Sequence, residues 1–110
     1  MSINTTQQTG VKVITGVTAT GGAQATAYPL GPHRLMVEVS SVPSGSGVML
    51  PSCKVPSVVA IKNADPSNTL SIYPPTGGTI NNGAVNASFS LSAGSPTATF
   101  WCSSPTNWYN

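Results

Sequence analysis

The sequence predicts an all-β fold, a single antiparallel β-sandwich or jelly-roll-like barrel of about seven to nine short strands. Three observations carry that expectation. Apolar and polar residues alternate in short runs, the two-residue period of a half-buried strand. The 11 glycines and 10 prolines among 110 residues interrupt these runs at intervals of roughly a dozen residues or less, the cadence of antiparallel sandwiches and barrels. No window places apolar residues at the three-to-four spacing of a helix, and so much Gly and Pro would break a long one. Sandwich and barrel stay open as alternatives, because closure depends on strand tilt and register.

The elements follow in chain order. Residues 1–10, MSINTTQQTG, are polar and aperiodic and read as a flexible arm ahead of a single β domain over 11–110. VKVITGVTAT is rich in β-branched residues, which suit a pleated sheet. GGAQATAYPLGP is a link or a weak strand between Gly and Pro stops. HRLMVEVSSV alternates cleanly, with Leu35, Val37 and Val39 on one face and Arg34, Met36 and Glu38 on the other. SGSG is a loop, and VML runs into Pro51, where the missing N–H ends a ladder.

In the second half, SVVAIKN is a strand ending in the turn ADPSN, and TLSIY is a strand stopped by Pro74 and Pro75. Gly77 and Gly78 give the freedom for a turn into TIN. Asn82-Gly83 is a tight-hairpin dipeptide. VNASFSLSA alternates with Val85, Ala87, Phe89 and Leu91 on one face, and TATFWCS with Ala98, Phe100 and Cys102 against Thr97, Thr99 and Trp101. The chain closes on NWYN.

Composition narrows the function classes. Hydrophobic residues make up 39% and charged residues 5%, against a usual charged share of about 25%. Disordered chains have the opposite balance. A neutral, Ser/Thr/Asn-rich surface has little like-charge repulsion and suits a permanent assembly, with a soluble monomer as the alternative. Lys12, Arg34, Lys54 and Lys62 are scattered, so no basic face is expected to track nucleic acid. No apolar run approaches the roughly 18 residues of a membrane span. The N-terminus shows no basic region followed by an apolar one, so no signal peptide is expected. Free thiols are then the default for Cys53 and Cys102, with a Cys53–Cys102 disulfide after release into an oxidising medium as the alternative. No cofactor is expected, and two Cys with one His cannot complete a tetrahedral zinc site.

The search for catalytic groups finds little. Glu38 and Asp65 are the two carboxylates and share no motif, so the paired acids of a glycosidase are not expected. His33, the single histidine, can be combined with Ser46 and Asp65 into a triad on paper, but Gly45-Ser46-Gly47 lacks the spacing of a nucleophile elbow. The expectation is that the protein is not an enzyme. The sequons at Asn4 and Asn86 carry no weight without a secretory route. Among the aromatics, Phe100 is expected in the core. Trp101, Trp108 and Tyr109 are candidates for contacts between subunits, or for a stacking platform. Ser2, Ile3, Asn4 and Thr5 of the arm are further interface candidates, able to add a strand to a neighbour or drape across it.

The stretch from Asn63 to Tyr109 also resembles a pattern in small virion proteins of tailed bacteriophages. An Asn-rich turn at Asn63 precedes a strand ending in Tyr73-Pro74-Pro75. Then come Gly77-Gly78, Ile80-Asn81 with Gly83, a small-residue strand, the Ala93-Gly94 turn, Phe100 and a terminal Trp108. About half the chain is covered, and the ordered series is more specific than any one turn. The resemblance implies a capsid decoration, or cement, protein on the outer surface of the virion. It would be made in the host bacterial cytoplasm and would clamp the major capsid protein. It would associate with itself, as a homotrimer at three-fold lattice positions or as a dimer. The rival expectation is a receptor- or glycan-binding module of a tail fibre or tip.

Overall fold

A computed structural model describes residues 11–31, 34–53, 58–102 and 104–110. Ten strands are formed among them: β1 (Val11–Thr18), β2 (Tyr28–Pro29), β3 (Arg34–Ser41), β4 (Gly47–Met49), β5 (Val58–Asn63), β6 (Leu70–Tyr73), β7 (Thr79–Ile80), β8 (Phe89–Leu91), β9 (Ala98–Cys102) and β10 (Asn107–Tyr109). A 3-10 turn at Gln24–Thr26 is the one helical element among the described residues. The all-β expectation holds. The number of strands exceeds the seven to nine expected, because short segments such as Tyr28–Pro29 and Thr79–Ile80 also pair.

From β1 to β9 the chain alternates between two sheets. One is six-stranded in the order β1-β3-β5-β9-β10-β7, and the other four-stranded in the order β2-β4-β6-β8. The strands β1, β3 and β5 lie parallel, as do β2, β4 and β6. Lys12 pairs with Leu35 and Leu35 with Val59, so each circuit returns the chain to the same lateral position after roughly two dozen residues, a solenoid-like winding. Then β8 and β9 run antiparallel to β6 and β5, and β10 lies between β9 and β7.

This corrects the antiparallel expectation, since five of the eight ladders are parallel. The physical reason lies at the corners. A Gly/Pro/Asn turn ends a strand whether the chain then folds back beside it or crosses to a facing sheet, and local chemistry does not distinguish the two.

The inner faces of the sheets meet in one buried cluster. Parallel stacking aligns Leu35 with Val59, Val37 with Ile61, and Val48 with Ile72, all nearly or fully buried. Each such side chain contributes about 1.5–3 kcal/mol on leaving water. Phe100 pairs in register with Val59 and packs edge-on against Phe89, ring centroids 5.3 Å apart. A Cβ on Gly47 would sit 2.3 Å from the Ser71 carbonyl oxygen, so glycine alone permits that approach of β4 to β6.

The corner after β5 is a network of side-chain amides and a carboxylate. Buried Asn63 donates from Nδ2 to the Asn68 and Leu91 carbonyls, each at 2.9 Å, and its Oδ1 accepts the Asp65 N–H. Asp65 Oδ1 accepts the N–H groups of Ser67 and Asn68, and Oδ2 accepts that of Val42. Asn68 Nδ2 donates back to the Val42 carbonyl. These amides hold the Asp65 carboxyl below its ordinary value, Val42 contributing most, then Ser67 and Asn68.

Three local expectations shift. The tight turn after β7 is centred on Asn81 and Asn82, both with positive φ (54° and 59°), and closes with Gly83 N–H donating to the Ile80 carbonyl. It lies one residue earlier than Asn82-Gly83. The expected strand from Val85 shortens to Phe89–Leu91, and Val85 is exposed, because Asn86 adopts φ 63° and its Oδ1 accepts the Gly77 N–H. Cys53 and Cys102 form a disulfide with Cα atoms 6.1 Å apart, in place of the free thiols expected by default. The fold brings together two positions that no sequence spacing relates.

An apolar face on the six-stranded sheet as candidate functional site

Alternation along each strand fixes which side chains leave the core of the six-stranded sheet. On β3, Leu35, Val37 and Val39 point inward, leaving Met36 and Glu38 outside. Register carries this outward set across the sheet. Val13 on β1 pairs with Met36, Met36 with Ala60, and Ala60 with Thr99. One row away, Val58 pairs with Trp101 and Trp101 with Tyr109.

Four of the six large hydrophobic residues that stand exposed among the described residues share this face: Val13 at 66%, Met36 at 52%, Trp101 at 48% and Val58 at 45%. The Trp101 and Tyr109 rings stack at 4.8 Å between centroids with a 31° tilt. A shallow hollow of about 170 Å³ is lined by Val13, Met36, Glu38, Ala60 and Lys62 among others. Glu38 and Lys62 are register partners on β3 and β5, so one acid and one base stand side by side at the edge of the apolar rows. Lys62 Nζ also donates to the Ser95 carbonyl.

The four-stranded sheet differs on its outside. Gly47, Ser71 and Ser90 pair across β4, β6 and β8. The 3-10 turn lies over Met49, Gln24 Nε2 donating to the Met49 Sδ at 3.1 Å, the Pro74 carbonyl at 3.3 Å and Thr76 Oγ1 at 3.2 Å. That side mixes a Gly/Ser row with a Pro29–Met49–Tyr73 row and is already covered in part by its own chain.

The aromatic residues singled out by sequence divide. Trp101 and Tyr109 lie together on the exposed face, whereas Trp108 is fully buried and donates from Nε1 to the Pro51 carbonyl at 3.0 Å. Trp108 is therefore a core anchor and not an interface residue. Its neighbour Tyr109 faces outward, and adjacent residues of a strand face opposite ways, so the two could not both serve one surface. Phe100 is in the core. The interface candidates Ser2, Ile3, Asn4 and Thr5 lie outside the described residues, as does His33.

Sequence reasoning missed Val13, Met36 and Val58. The available signal was an apolar Met on the polar face of β3. Val58 sits in the run Val58-Val59-Ala60-Ile61, too uniformly apolar to show a facing, and Val13 stands between Lys12 and Ile14, which together name neither face.

Chemically, the face offers contact. The Ser46 hydroxyl donates to the Pro43 carbonyl at 2.6 Å, and both Asp65 oxygens are engaged by backbone amides. Among the described residues, no group of three or more His, Cys, Asp or Glu side chains could hold a metal ion. No described helix is long and apolar enough to cross a membrane. Compared with protein families, with curated proteins and with solved structures, the chain matches none.

Proposed function

We propose that this chain is a structural virion protein that decorates a tailed-bacteriophage capsid and stabilises it by bridging major capsid subunits. It would be made in the host bacterial cytoplasm and reside on the outer capsid surface. In this reading it is no enzyme, carries no cofactor, and works as a homo-oligomer, three copies suiting three-fold lattice positions and two being the alternative. Its two sheets pack face to face as a β-sandwich rather than closing into a jelly-roll barrel.

The observation that carries the reading is the exposed apolar face of the six-stranded sheet, on a chain with only 5% charged residues. Large exposed apolar patches mark contact sites, and cementing needs many modest contacts repeated by symmetry, without bond-making chemistry. The Cys53–Cys102 disulfide suits a particle that persists outside the reducing cell. The ordered turn series from Asn63 to Trp108 supplies the link to phage virion proteins.

The test is virion assembly without this chain. Heads lacking it should burst at lower temperature or on chelation, and purified protein should restore them by binding stoichiometrically to empty capsids. Heads of unchanged stability, with no binding, would end the proposal.

The exposed Trp101–Tyr109 stack favours a second reading, a receptor- or glycan-binding module of a tail fibre or tip, since sugar rings stack on such platforms. Trp101→Ala would then abolish attachment to the host cell wall while leaving virion stability unchanged.

A further inference from the structure

We propose that the exposed face of the six-stranded sheet is a self-association surface, on which a second copy of this chain packs in a two-fold contact. This deepens the reading above by giving that face a second copy as its occupant, so that capsid contacts fall to other surfaces of the pair. It rests on the homo-oligomer part of that reading and not on the capsid part.

Charge is the first argument. The apolar rows carry Glu38 and Lys62 side by side in register. A two-fold contact places residue i of one copy against j of the other and j against i. Among the described side chains of these rows, each copy therefore brings one acid and one base, and two such pairs satisfy each other. A partner of one predominant charge would leave one member of the pair opposed. The apolar residues argue the same way: Val13, Met36, Val58 and Trp101 occupy neighbouring strands β1, β3, β5 and β9 of one sheet. Two such faces can interdigitate at the roughly 10 Å spacing of packed sheets.

Area sets the strength. The five strands from β1 to β10 at about 4.8 Å span roughly 19 Å, and five residues at about 3.3 Å span roughly 17 Å. Two copies thus cover at most roughly 650 Å² between them as flat footprint, within the class of weak, exchanging complexes below about 1,200 Å². The contact is reversible on dilution and is reinforced when a third body holds both copies. Of the two stoichiometries considered above, this face selects the dimer. A three-fold ring needs two different patches on each copy, and the outer side of the other sheet is partly covered by the 3-10 turn.

The test measures mass by light scattering over a dilution series of the purified full chain, for wild type and for Met36→Glu with Val58→Glu. Wild type should be dimeric at about 100 μM and dissociate on dilution. The double variant should need at least about tenfold more protein to dimerise, with an unchanged near-ultraviolet circular dichroism spectrum. A wild type that is monomeric at that concentration overturns the proposal, as does a variant that dimerises equally well.

Should the variant fail to fold, wild type alone decides. A mixture of isotopically light and heavy chains is treated with a zero-length carboxyl–amine coupling reagent. A light–heavy Glu38–Lys62 link supports the two-fold contact, and its absence from a dimer overturns it. Stoichiometric capsid binding by a strictly monomeric protein would defeat this inference and leave the decoration reading standing.

Discussion

In the parallel part of the molecule, residues 11–73, the strands of the six-stranded sheet meet over long registered ladders: β1 and β3 over six pairs, β3 and β5 over five. In the closing part, residues 79–109, β10 meets β9 over two pairs and β7 over two. The first part repeats a winding, and aliphatic side chains stack rung upon rung. The second part ends the winding and joins the first through β9 on β5 over four pairs and β8 on β6 over three, and through individual ties. Trp108 Nε1 donates to the Pro51 carbonyl, Cys53 N–H donates to the Pro105 carbonyl, Asn63 donates to the Leu91 carbonyl, and the disulfide joins Cys53 to Cys102. Stability in the winding is therefore spread over many similar contacts, whereas the end of the closing part, β10 with its two short ladders, leans on a few ties. Substitutions at the ties should cost more than their number suggests.

The largest effect is expected at Trp108. It is fully buried, with one hydrogen bond to the winding. Trp108→Ala should lower unfolding stability by about 3–5 kcal/mol, read from urea denaturation followed by circular dichroism. A loss under about 1 kcal/mol would mean that the closing part adds little to the winding. Next comes the disulfide, which spans a sequence separation of 49 residues. A chain-entropy model gives about 4 kcal/mol for a loop of that size, and measured losses usually fall at about 2–4 kcal/mol. Replacing Cys53 and Cys102 by Ser should cost that much, with no change of fold. An unchanged denaturation midpoint would show that the Trp108 and Asn63 ties suffice without it.

A smaller cost is expected at Asn63. Asn63→Ala leaves the Asn68 and Leu91 carbonyls without their donor and the Asp65 N–H without its acceptor. Unsatisfied buried groups cost about 1–3 kcal/mol each, but Asn68 and Asp65 lie near water, so the total should be about 2 kcal/mol. The same variant should loosen β8 before β5, visible as faster amide exchange at Leu91 than at Ile61. Equal exchange at both would mean that Asn63 braces the winding rather than joining the two parts.

The same division explains what could be read from the residues. Where one face is buried and the other wet, alternation names both, and Leu35, Val37 and Val39 in β3 or Phe100 and Cys102 in β9 fall as their pattern implies. Partner and direction are different matters. Nothing in Asp65-Pro66-Ser67 says whether the chain turns back or crosses over, because that is set by where the core has room. The ties are nonlocal for the same reason: Trp108 and Pro51 are far apart in sequence, and a tryptophan near a terminus looks the same whether it anchors or protrudes. The exposed face was half legible. Trp101 stood out by residue type, while Val13 and Val58 became part of it through pairing register. The Asn81-Asn82 turn was misplaced by one residue because its left-handed backbone falls on two asparagines, where glycine is the stronger sequence cue.

The smallest effect, and the sharpest contrast between the parts, is in acid. No Asp, Glu, His, Lys or Arg occurs from Thr79 to the last residue, whereas Asp65 sits at a corner of the winding. Its carboxyl is held below its ordinary value by the amides of Val42, Ser67 and Asn68. A carboxylate whose folded value is lowered adds stability that is complete above the unfolded value of about 3.9 and is lost as pH falls through the folded one. Melting temperature should therefore change little from pH 7 to about 5 on this account and decline below about 4. Asp65→Asn should flatten the decline while lowering the plateau, since one accepting oxygen becomes an NH2 donor and leaves either the Val42 N–H or those of Ser67 and Asn68 without an acceptor. Amide exchange in acid should show Val42, Ser67 and Asn68 losing protection while Cys102 and Trp108 keep theirs. If the closing part opened first, or if Asp65→Asn retained the full acid decline, protonation would be acting elsewhere than at this corner.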